Sequence, residues 1–370
     1  MIRVAFDSQI FAQQVHGGVS RYFCQLVEHI DKSEDIRPLI VAPMHVNGYL
    51  PKIPGRLWQG FANRHQDLPK LARRILYRGA EELIMRAFRP QIIHETYYWL
   101  NPRGPAGACR VLTIYDMIHE KFGAQYHQLR GDMLERKLAA VKRADHIIFI
   151  SNSTRRDALE YFDLNPAKTS VIHLGFDLKA NVGRHESAVS PGSRPYVLYV
   201  GLREGYKNFE NFAKAFGASC LVSEGFRLIC FGGGKPSGEE LAMVQQFGID
   251  ATRFEWRDGG DAMLRQIYRE AALFVYPSLY EGFGIPPLEA MAHDCPVACS
   301  NTSSIPEVVG QAAELFDPSD VDSIREAMER VLYSPSRRTD LVRLGRERLG
   351  AFSWQRCALE TRKVYQYLVA

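Results

Sequence analysis

Short apolar stretches alternate with longer amphipathic stretches along most of the chain. Apolar runs bounded by turn residues predict buried strands, and a 3.6-residue hydrophobic repeat predicts helices such as Val19–Ile30. Strands that alternate with helices predict an α/β protein with parallel sheets. The predicted strands are Arg3–Asp7, Pro38–Ala42, Gln91–His94, Val111–Ile114, His146–Ile150, Ser170–His173, Tyr196–Val200, Phe226–Phe231, Arg253–Trp256, Leu273–Tyr276, Pro296–Cys299 and Ala313–Phe316.

One polar segment interrupts this alternation. Residues 179–195 are rich in glycine, serine and proline, which is typical of a linker. The segment therefore predicts two doubly wound parallel-sheet domains, at 1–185 and 195–352. A final helix is expected over 353–370, with Ser353 as its N-cap. Ligands bind such sheets beyond the carboxyl ends of the strands, so candidate chemistry is expected there.

Composition narrows the setting of the protein. The 370 residues carry a formal net charge of +4, a basic excess too small to indicate a nucleic-acid partner. Seven cysteines form no CxxC pair, which favours core thiols in a reducing compartment over disulfides or zinc ligands. The N-terminus does not resemble a signal peptide, and the sequence has no apolar run of about 18 residues. A cytoplasmic protein is expected.

The region from Arg56 to Arg89 is locally basic and has apolar residues at roughly helical spacing. Two interpretations stay open. A basic amphipathic helix binds anionic lipid, which would place the protein peripherally on the inner face of the plasma membrane. The same pattern also suits an ordinary helix with a solvated charged face.

The segment Tyr280–Glu289 holds the strongest chemical signal. A glycine-rich loop carrying Glu281 follows a predicted strand, and Pro286 and Pro287 suit the first turn of a helix that carries Glu289. Loop amides and a helix N-terminus favour anions, phosphates above all. An ionised carboxylate accepts two hydrogen bonds from a diol, as sugars and ribose offer. The segment predicts a site for a phosphorylated sugar or nucleotide.

This segment resembles the Glu-x7-Glu signature of retaining glycosyltransferases of family 4. The resemblance implies the GT-B fold, in which two Rossmann-like domains face a central cleft. It implies that Glu281 contacts the donor sugar and that Glu289 holds the ribose hydroxyls, with Gly282, Phe283 and Gly284 in the donor-binding loop. It also implies that the first domain binds the acceptor and that the helix 353–370 packs back on that domain.

Three further loops are expected to contribute to donor binding. Arg203 and Lys207 follow the first strand of the second domain. A planar guanidinium and a compact ammonium suit a diphosphate, and family 4 enzymes place both in this loop. Gly17 and Gly18 precede a helix, and the resemblance implies that this loop meets the donor phosphate or the acceptor. Arg257 ends a strand where the family seats the base.

Two further residues are candidates for contact with the donor sugar near the carbon that reacts. His119 and Asp116 follow a strand of the first domain, where many family members carry a His-Asp pair. This sequence has Tyr115 in place of that histidine, so His119 is either a sugar contact or a surface histidine. Residues 94–99 form an aromatic cluster that suits either a sugar or lipid acceptor or the core.

Two other motifs have ordinary explanations. Gly232–Lys235 lacks the spacing of a Walker motif and predicts a tight turn. Asp320-Val321-Asp322 opens a predicted helix, so capping explains it better than a metal ion. No metal and no separate cofactor are expected.

The resemblance implies transfer of a sugar, with retention, from a nucleotide diphosphate sugar to an acceptor hydroxyl in polysaccharide or lipid-linked glycan assembly. GDP-mannose is a common donor among similar bacterial enzymes, and UDP- and dTDP-sugars stay open. Two alternatives remain: a sugar-nucleotide epimerase, and an inactive partner subunit that binds nucleotide sugars.

Overall fold

The protein is described here by a computed structural model. It covers residues 1–62, 70–126, 129, 131–176 and 195–370, with backbone alone for 70–75. The chain divides into two compact units: Met1–Gly175 with Phe352–Ala370 forms the first unit, and Phe176–Ala351 forms the second. Residues 179–194 of the expected linker, and with them the boundary at residue 185, lie outside the described residues.

The sheet of the first unit has seven parallel strands in the order β3-β2-β1-β4-β5-β6-β7. The chain builds outward from β1 in one direction and then starts again beside β1 with β4. This is the doubly wound arrangement expected from alternating strands and helices. Its strands are β1 Ile2–Phe6, β2 Ile36–His45, β3 Trp58–Ala62, β4 Ile92–Glu95, β5 Cys109–Ile114, β6 His146–Phe149 and β7 Thr169–Val171.

The second unit repeats the same winding with six parallel strands in the order β10-β9-β8-β11-β12-β13. Its central strands are buried throughout, which explains why they read as continuous apolar runs. The strands are β8 Tyr196–Val200, β9 Arg227–Phe231, β10 Phe254–Arg257, β11 Leu273–Tyr276, β12 Val297–Ser300 and β13 Glu314–Phe316. The two doubly wound sheets confirm the predicted fold class.

Helices connect the strands in both units. In the first unit they are Gln9–Gln13, Gly18–Ile30, Lys70–Phe88, Ile118–Phe122, Met133–Arg143, Asn152–Tyr161 and Trp354–Val369. In the second unit they are Phe209–Ala218, Gly238–Gln246, Asp261–Glu270, Ile285–Ala292, Ile305–Val309, Val321–Tyr333 and Pro335–Leu349. Among the described residues, the sequence patterns missed strand β3 and helix Gln9–Gln13, since each is only five residues long.

The last helix, Trp354–Val369, packs within the first unit. Ser353 caps it by accepting a hydrogen bond from the Arg356 amide at 3.2 Å, as expected. The Tyr365 hydroxyl lies 2.6 Å from Nδ1 of the buried His94 on β4. Near the start of the helix, Trp354 packs so closely on Gly175 that a side chain there would collide with the indole. The helix therefore completes the core of the first unit.

Candidate functional site

The site in the second unit lies where its strand order reverses. β8 and β11 are adjacent, and the chain winds away from them in opposite directions. Loops that leave the carboxyl ends of two such strands diverge and leave room for a ligand between them. The loop after β8 carries Arg203 and Lys207, and the loop after β11 carries Glu281. Topology thus brings together residues that are more than 70 positions apart.

Lys207 and Glu281 form an ion pair at this point. Lys207 Nζ lies 2.6 Å from Glu281 Oε1, and the two side chains are 19% and 11% exposed. The ammonium also lies 5.1 Å from the Tyr206 ring centroid and 5.8 Å from that of Tyr276. Burial, followed by the Glu281 charge, raises the pKa of Tyr276, so its hydroxyl stays protonated and donates to Glu281. The pair is oriented and still reachable from solvent.

The loop around Glu281 is held by two serines of the loop after β12. Ser303 Oγ accepts from the Glu281 amide at 2.9 Å. Ser304 Oγ donates to the carbonyls of Glu281 and Phe283, at 2.8 and 3.0 Å. Gly282 and Gly284 complete the loop, and Gly284 has a φ of +107°, which glycine adopts readily. The carboxylate is therefore presented from a rigid turn.

Glu289 lies on the helix Ile285–Ala292, which begins directly after this turn with Pro286 and Pro287 in its first turn, as predicted. Its carboxylate is half-buried and accepts from the Tyr268 hydroxyl at 3.4 Å. Burial, followed by the Glu289 charge, raises the pKa of Tyr268. Glu289 thus accepts a hydrogen bond from a protonated phenol.

Arg203 has a different environment from Lys207. Its side chain is only 2% exposed, and its Nε donates to Glu240 Oε1 at 3.0 Å. The remaining nitrogens donate to carbonyls of the Gly232–Gly234 turn after β9. Those three glycines have φ values of +76°, +73° and +78°, which confirms the predicted tight turn. In this structure Arg203 holds the turn.

Arg257 ends β10, beside that turn. Its Nε donates to Glu255 Oε1 at 2.5 Å, and this hydrogen bond raises the pKa of the guanidinium. The side chain is 29% exposed. Arg257 is thus partly available at the same edge of the sheet.

The first unit has its own loop–helix junction, after β1. Gly17 is the N-cap of helix Gly18–Ile30, and glycine has no side chain that could accept a hydrogen bond from the helix amides. Gln14 Oε1 accepts from the Ser20 amide at 3.3 Å and so occupies part of the helix N-terminus. A side chain at position 17 would collide with Gln14, whereas position 18 faces open space. A ligand phosphate at this N-terminus would displace the Gln14 side chain.

His119 and Asp116 flank the start of the short helix Ile118–Phe122 after β5. Asp116 Oδ1 accepts from the Ile118 amide at 3.1 Å. The imidazole is half-buried, and burial lowers the pKa of His119, opposed by the nearby Asp116 carboxylate. Nearby, Lys137 is fully buried, and its Nζ pairs with Glu120 Oε2 at 2.8 Å. The histidine therefore favours the neutral form, which can donate or accept a hydrogen bond.

The first unit and the second unit each match a glycosyltransferase family model. The model described as Glycosyltransferase Family 4 matches residues 16–180, and the one described as Glycosyl transferases group 1 matches residues 184–348. Together they span nearly the whole chain. The O-antigen chain mannosyltransferase B of Escherichia coli is 28% identical over 377 residues, covering 95% of this chain and 96% of that protein. The chain belongs to the family 4 glycosyltransferases.

Solved structures show the same fold. Sucrose-phosphate synthase from Thermosynechococcus elongatus aligns with a TM-score of 0.76 at 21% identity, over 100% of this chain and 99% of that one. Anabaena Alr3699/HepE in complex with UDP aligns with a TM-score of 0.71 at 13% identity, over 99% and 100% of the two chains. The two-domain Rossmann-like architecture of this glycosyltransferase is therefore a recurrent one.

The aromatic cluster at 94–99 is only partly available in this family 4 protein. His94 is fully buried between Phe6, Phe23 and Tyr365, and burial lowers its pKa to about 3. The acceptor interpretation is wrong for His94, because the ring belongs to the core. Tyr97 and Trp99 remain half-buried at the end of β4.

The structure shows the role of Asp320 in the Asp320-Val321-Asp322 segment. Asp320 Oδ1 accepts from the Asp322 amide at 2.9 Å and caps helix Val321–Tyr333, so the capping prediction is confirmed. Over the described ranges, His, Cys, Asp and Glu side chains form no group of three able to hold a metal ion. Within the same ranges, every helix is too short or too polar to cross a bilayer.

The basic region lies partly outside the described residues, because Arg64 falls in the gap at 63–69 and the side chains at 70–75 are not described. The rest of helix Lys70–Phe88 exposes Leu76 and Leu83, at 55% and 70%. These leucines are seven residues apart and share a face of the helix. The described part therefore keeps both the apolar and the basic character that the sequence indicated.

Several residues of the candidate site were missed by sequence reasoning. Ser303, Ser304 and Tyr268 act through long-range contacts that leave no sequence pattern. Glu240 had a partial signal, since Ser237-x-x-Glu240 is a capping-box sequence and the structure shows both of its hydrogen bonds. That pattern predicts a helix start but not the pairing with Arg203.

Proposed function

We propose that the chain is a retaining, metal-independent hexosyltransferase that uses a nucleotide diphosphate sugar. The observation that carries this proposal is the ion pair of Lys207 and Glu281 at the reversal point of the second sheet. Glu289 on the adjoining helix supplies a second carboxylate in the same unit. A cation for phosphate and two carboxylates for hydroxyls are the set that a sugar nucleotide needs.

In the proposed reaction, the bond between the sugar C1 and the diphosphate oxygen breaks, and the diphosphate leaves with both electrons. The acceptor oxygen attacks C1 on the same face and gives its proton to the leaving diphosphate. Lys207 stabilises the charge that grows on the leaving group, because its ammonium is fixed before the reaction begins. Glu281 orients the transferred sugar by accepting from its hydroxyls, and Glu289 does the same for the ribose.

The remaining candidates take supporting roles in the proposal. The second unit holds the donor, with Gly282, Phe283 and Gly284 shaping its loop and Arg257 near the base. The first unit holds the acceptor, with Gly17 and Gly18 at the phosphate or the acceptor. His119 and Asp116 contact the transferred sugar. No cofactor beyond the donor takes part.

The donor sugar is proposed to be mannose, carried on GDP, with UDP- and dTDP-sugars as the competing choices. This rests on the resemblance to a curated O-antigen mannosyltransferase over nearly the full length of both chains. Anabaena HepE was solved with UDP, which keeps that base in the comparison. The acceptor is proposed to be a glycan or lipid-linked glycan, handled at the cytoplasmic membrane surface by a peripheral protein.

The test is a panel of GDP-mannose, UDP-glucose and dTDP-glucose, each with mannose-containing oligosaccharide acceptors. We expect one donor to give a product whose anomeric configuration, read by NMR, matches that of the donor. EDTA should leave the rate unchanged. Arg203→Ala should lower kcat/KM, referred to the folded fraction of the protein, at least tenfold.

The same panel separates the alternatives. An epimerase would convert a donor incubated alone into an isomeric nucleotide sugar. An inactive partner subunit would bind a nucleotide without transfer or donor hydrolysis. Inverted products, or loss of activity on chelation restored by manganese, would overturn the retaining or the metal-independent part of the proposal.

A further inference from the structure

The Arg203 guanidinium is committed to the protein in this structure. Nη1 donates to the Gly232 carbonyl at 2.9 Å, and Nη2 donates to the Gly234 carbonyl at 2.7 Å and to that of Gly233 at 3.5 Å. With Nε on Glu240, all three nitrogens have acceptors. The Arg203 side chain is only 2% exposed, and its nitrogens already donate to the protein. It is therefore poorly placed to bind an incoming phosphate.

These contacts fix the direction of the turn amides. In a trans peptide the carbonyl and the following N–H point in opposite directions. Carbonyls 232 to 234 point at the guanidinium, so the amides of Gly233, Gly234 and Lys235 point away from it. No described hydrogen bond uses these three amides, and residues 233–235 are exposed. Successive outward amides form a concave donor surface that suits an anion.

The turn needs to be held, because its backbone is unusual. Only glycine readily adopts a φ near +75° at three successive positions. At Gly233 a Cβ would lie 2.5 Å from the Gly201 carbonyl and 3.0 Å from Arg203 Nη1. The Trp256 indole adds a second restraint by donating to the Gly232 carbonyl at 3.1 Å. Arg203 and Trp256 thus anchor the buried side of the turn.

Resting on the proposed function, we propose that Arg203 is a positioning residue and that the amides of Gly233, Gly234 and Lys235 bind a phosphate of the donor. Glu240 is the second positioning residue, since it holds Arg203 in place. The turn follows β9, which is adjacent to β8, so it lies beside the loop that carries Lys207. Lys207 and the turn amides then contact the diphosphate together.

Glu240 offers a variant that changes the charge without removing the helix cap. Its Oε1 accepts from Arg203, while its Oε2 accepts from the Ser237 amide at 2.8 Å. Glutamine is accepted at this position of a capping box. Glu240→Gln removes the negative charge that pairs with Arg203 and so weakens the hold on the guanidinium, while Ser237 Oγ still accepts from the amide of residue 240 and caps the helix. Glu239→Gln, on the exposed neighbour in the same turn, is the matched control.

The experiment measures the dissociation constants of UDP and GDP for the full chain by calorimetry, with inorganic pyrophosphate as a nucleotide-free probe. If Arg203 acts through the turn, Glu240→Gln weakens binding of the preferred nucleotide about three- to tenfold, and Glu239→Gln leaves it within twofold. If Arg203 is a direct phosphate ligand, removing its counter-charge tightens binding. Tighter or unchanged binding would overturn the proposal.

Arg203→Lys supplies a second readout that general destabilisation would not mimic. Lysine keeps a positive charge able to contact phosphate but lacks the planar fork that reaches three carbonyls. We expect the nucleotide dissociation constants of Arg203→Lys and Arg203→Gln to agree within threefold. Recovery of wild-type affinity by the lysine variant would contradict a positioning role. A wild-type protein that binds none of the three probes would instead overturn the proposed function, and this inference with it.

Discussion

Lys207 Nζ lies 2.6 Å from Glu281 Oε1, although the two residues are 74 positions apart in the chain. The pair forms because β8 and β11 are neighbours at the reversal point of the sheet. Under the proposed function, an incoming diphosphate competes with Glu281 for the ammonium, and the donor sugar supplies the hydroxyls from which Glu281 then accepts. Donor binding would then replace the Lys207–Glu281 ion pair by a contact of Lys207 with the diphosphate and a contact of Glu281 with the sugar.

Lys207→Met should lower kcat/KM about ten- to a hundredfold. A charge-assisted hydrogen bond contributes about 1.5–3 kcal/mol, and each 1.4 kcal/mol is a factor of ten in rate. Steady-state kinetics with the donor varied measure the change. Lys214→Met is the control, since Lys214 pairs with Glu210 on the exposed face of the next helix. Equal activity of the two variants would remove Lys207 from the site.

Glu289→Gln should reduce discrimination between ribose and 2′-deoxyribose. If the carboxylate accepts from both ribose hydroxyls, the wild type binds the ribonucleotide about tenfold more tightly than its 2′-deoxy form, because a lost charge-assisted bond is worth at least 1.4 kcal/mol. The variant should narrow that preference, measured by calorimetry with both nucleotides. Glu270→Gln, on the helix Asp261–Glu270, should retain it. A preference that survives Glu289→Gln contradicts the assignment.

Asp7 should make the stability of the first unit depend on pH. Burial, followed by the charges of Glu95 and Glu81, raises the pKa of Asp7 from 3.8 to about 7. An acid whose pKa is raised by folding favours the folded state below its unfolded pKa. That contribution is lost as the pH rises from about 4 to about 7.

Asp7→Asn keeps the acceptor that the Thr96 amide uses at 3.1 Å and cannot ionise. Its free energy of unfolding relative to the wild type should therefore be about 1–3 kcal/mol higher at pH 8 than at pH 5. Urea unfolding followed by tryptophan fluorescence reports on this unit, which holds Trp58, Trp99 and Trp354 of the four tryptophans. A difference that does not change with pH would contradict the raised pKa.

The thiols should differ sharply in reactivity. All seven cysteines are free, and of these Cys220 is exposed and Cys109 half-buried, while the other five are buried. Burial raises the pKa of both Cys24 and Cys357 to about 12. A thiol reagent at pH 8 should modify Cys220 rapidly, and Cys220→Ser should abolish that phase. Rapid modification of several thiols in the native protein would contradict the buried placement.

The sequence predicted most of the fold because buried strands and amphipathic helices differ in hydrophobic period. Strand β3, Trp58–Ala62, was missed since it is an edge strand with only one half-buried bulky residue and no apolar run. The predicted helix starts at Ser353 and Asp320 agreed with the structure, because both residues have side chains that cap a helix.

The candidate site was predicted only as separate loops. Residue types identified Glu281, Glu289 and Lys207 as candidates, but the ion pair depends on which strands are adjacent. The environment of Arg203 could not be foreseen, because its main acceptors are backbone carbonyls of glycines about 30 positions away. Carbonyl acceptors have no sequence signature.

A crystal structure with the best-binding nucleoside diphosphate tests the central claim most directly, which is that the loops after β8 and β11 hold a diphosphate while Glu289 holds the ribose. We expect the terminal phosphate within 3.5 Å of Lys207 Nζ and the ribose hydroxyls within hydrogen-bond distance of Glu289. Ordered nucleotide bound elsewhere, with Lys207 and Glu289 free of it, would contradict the account.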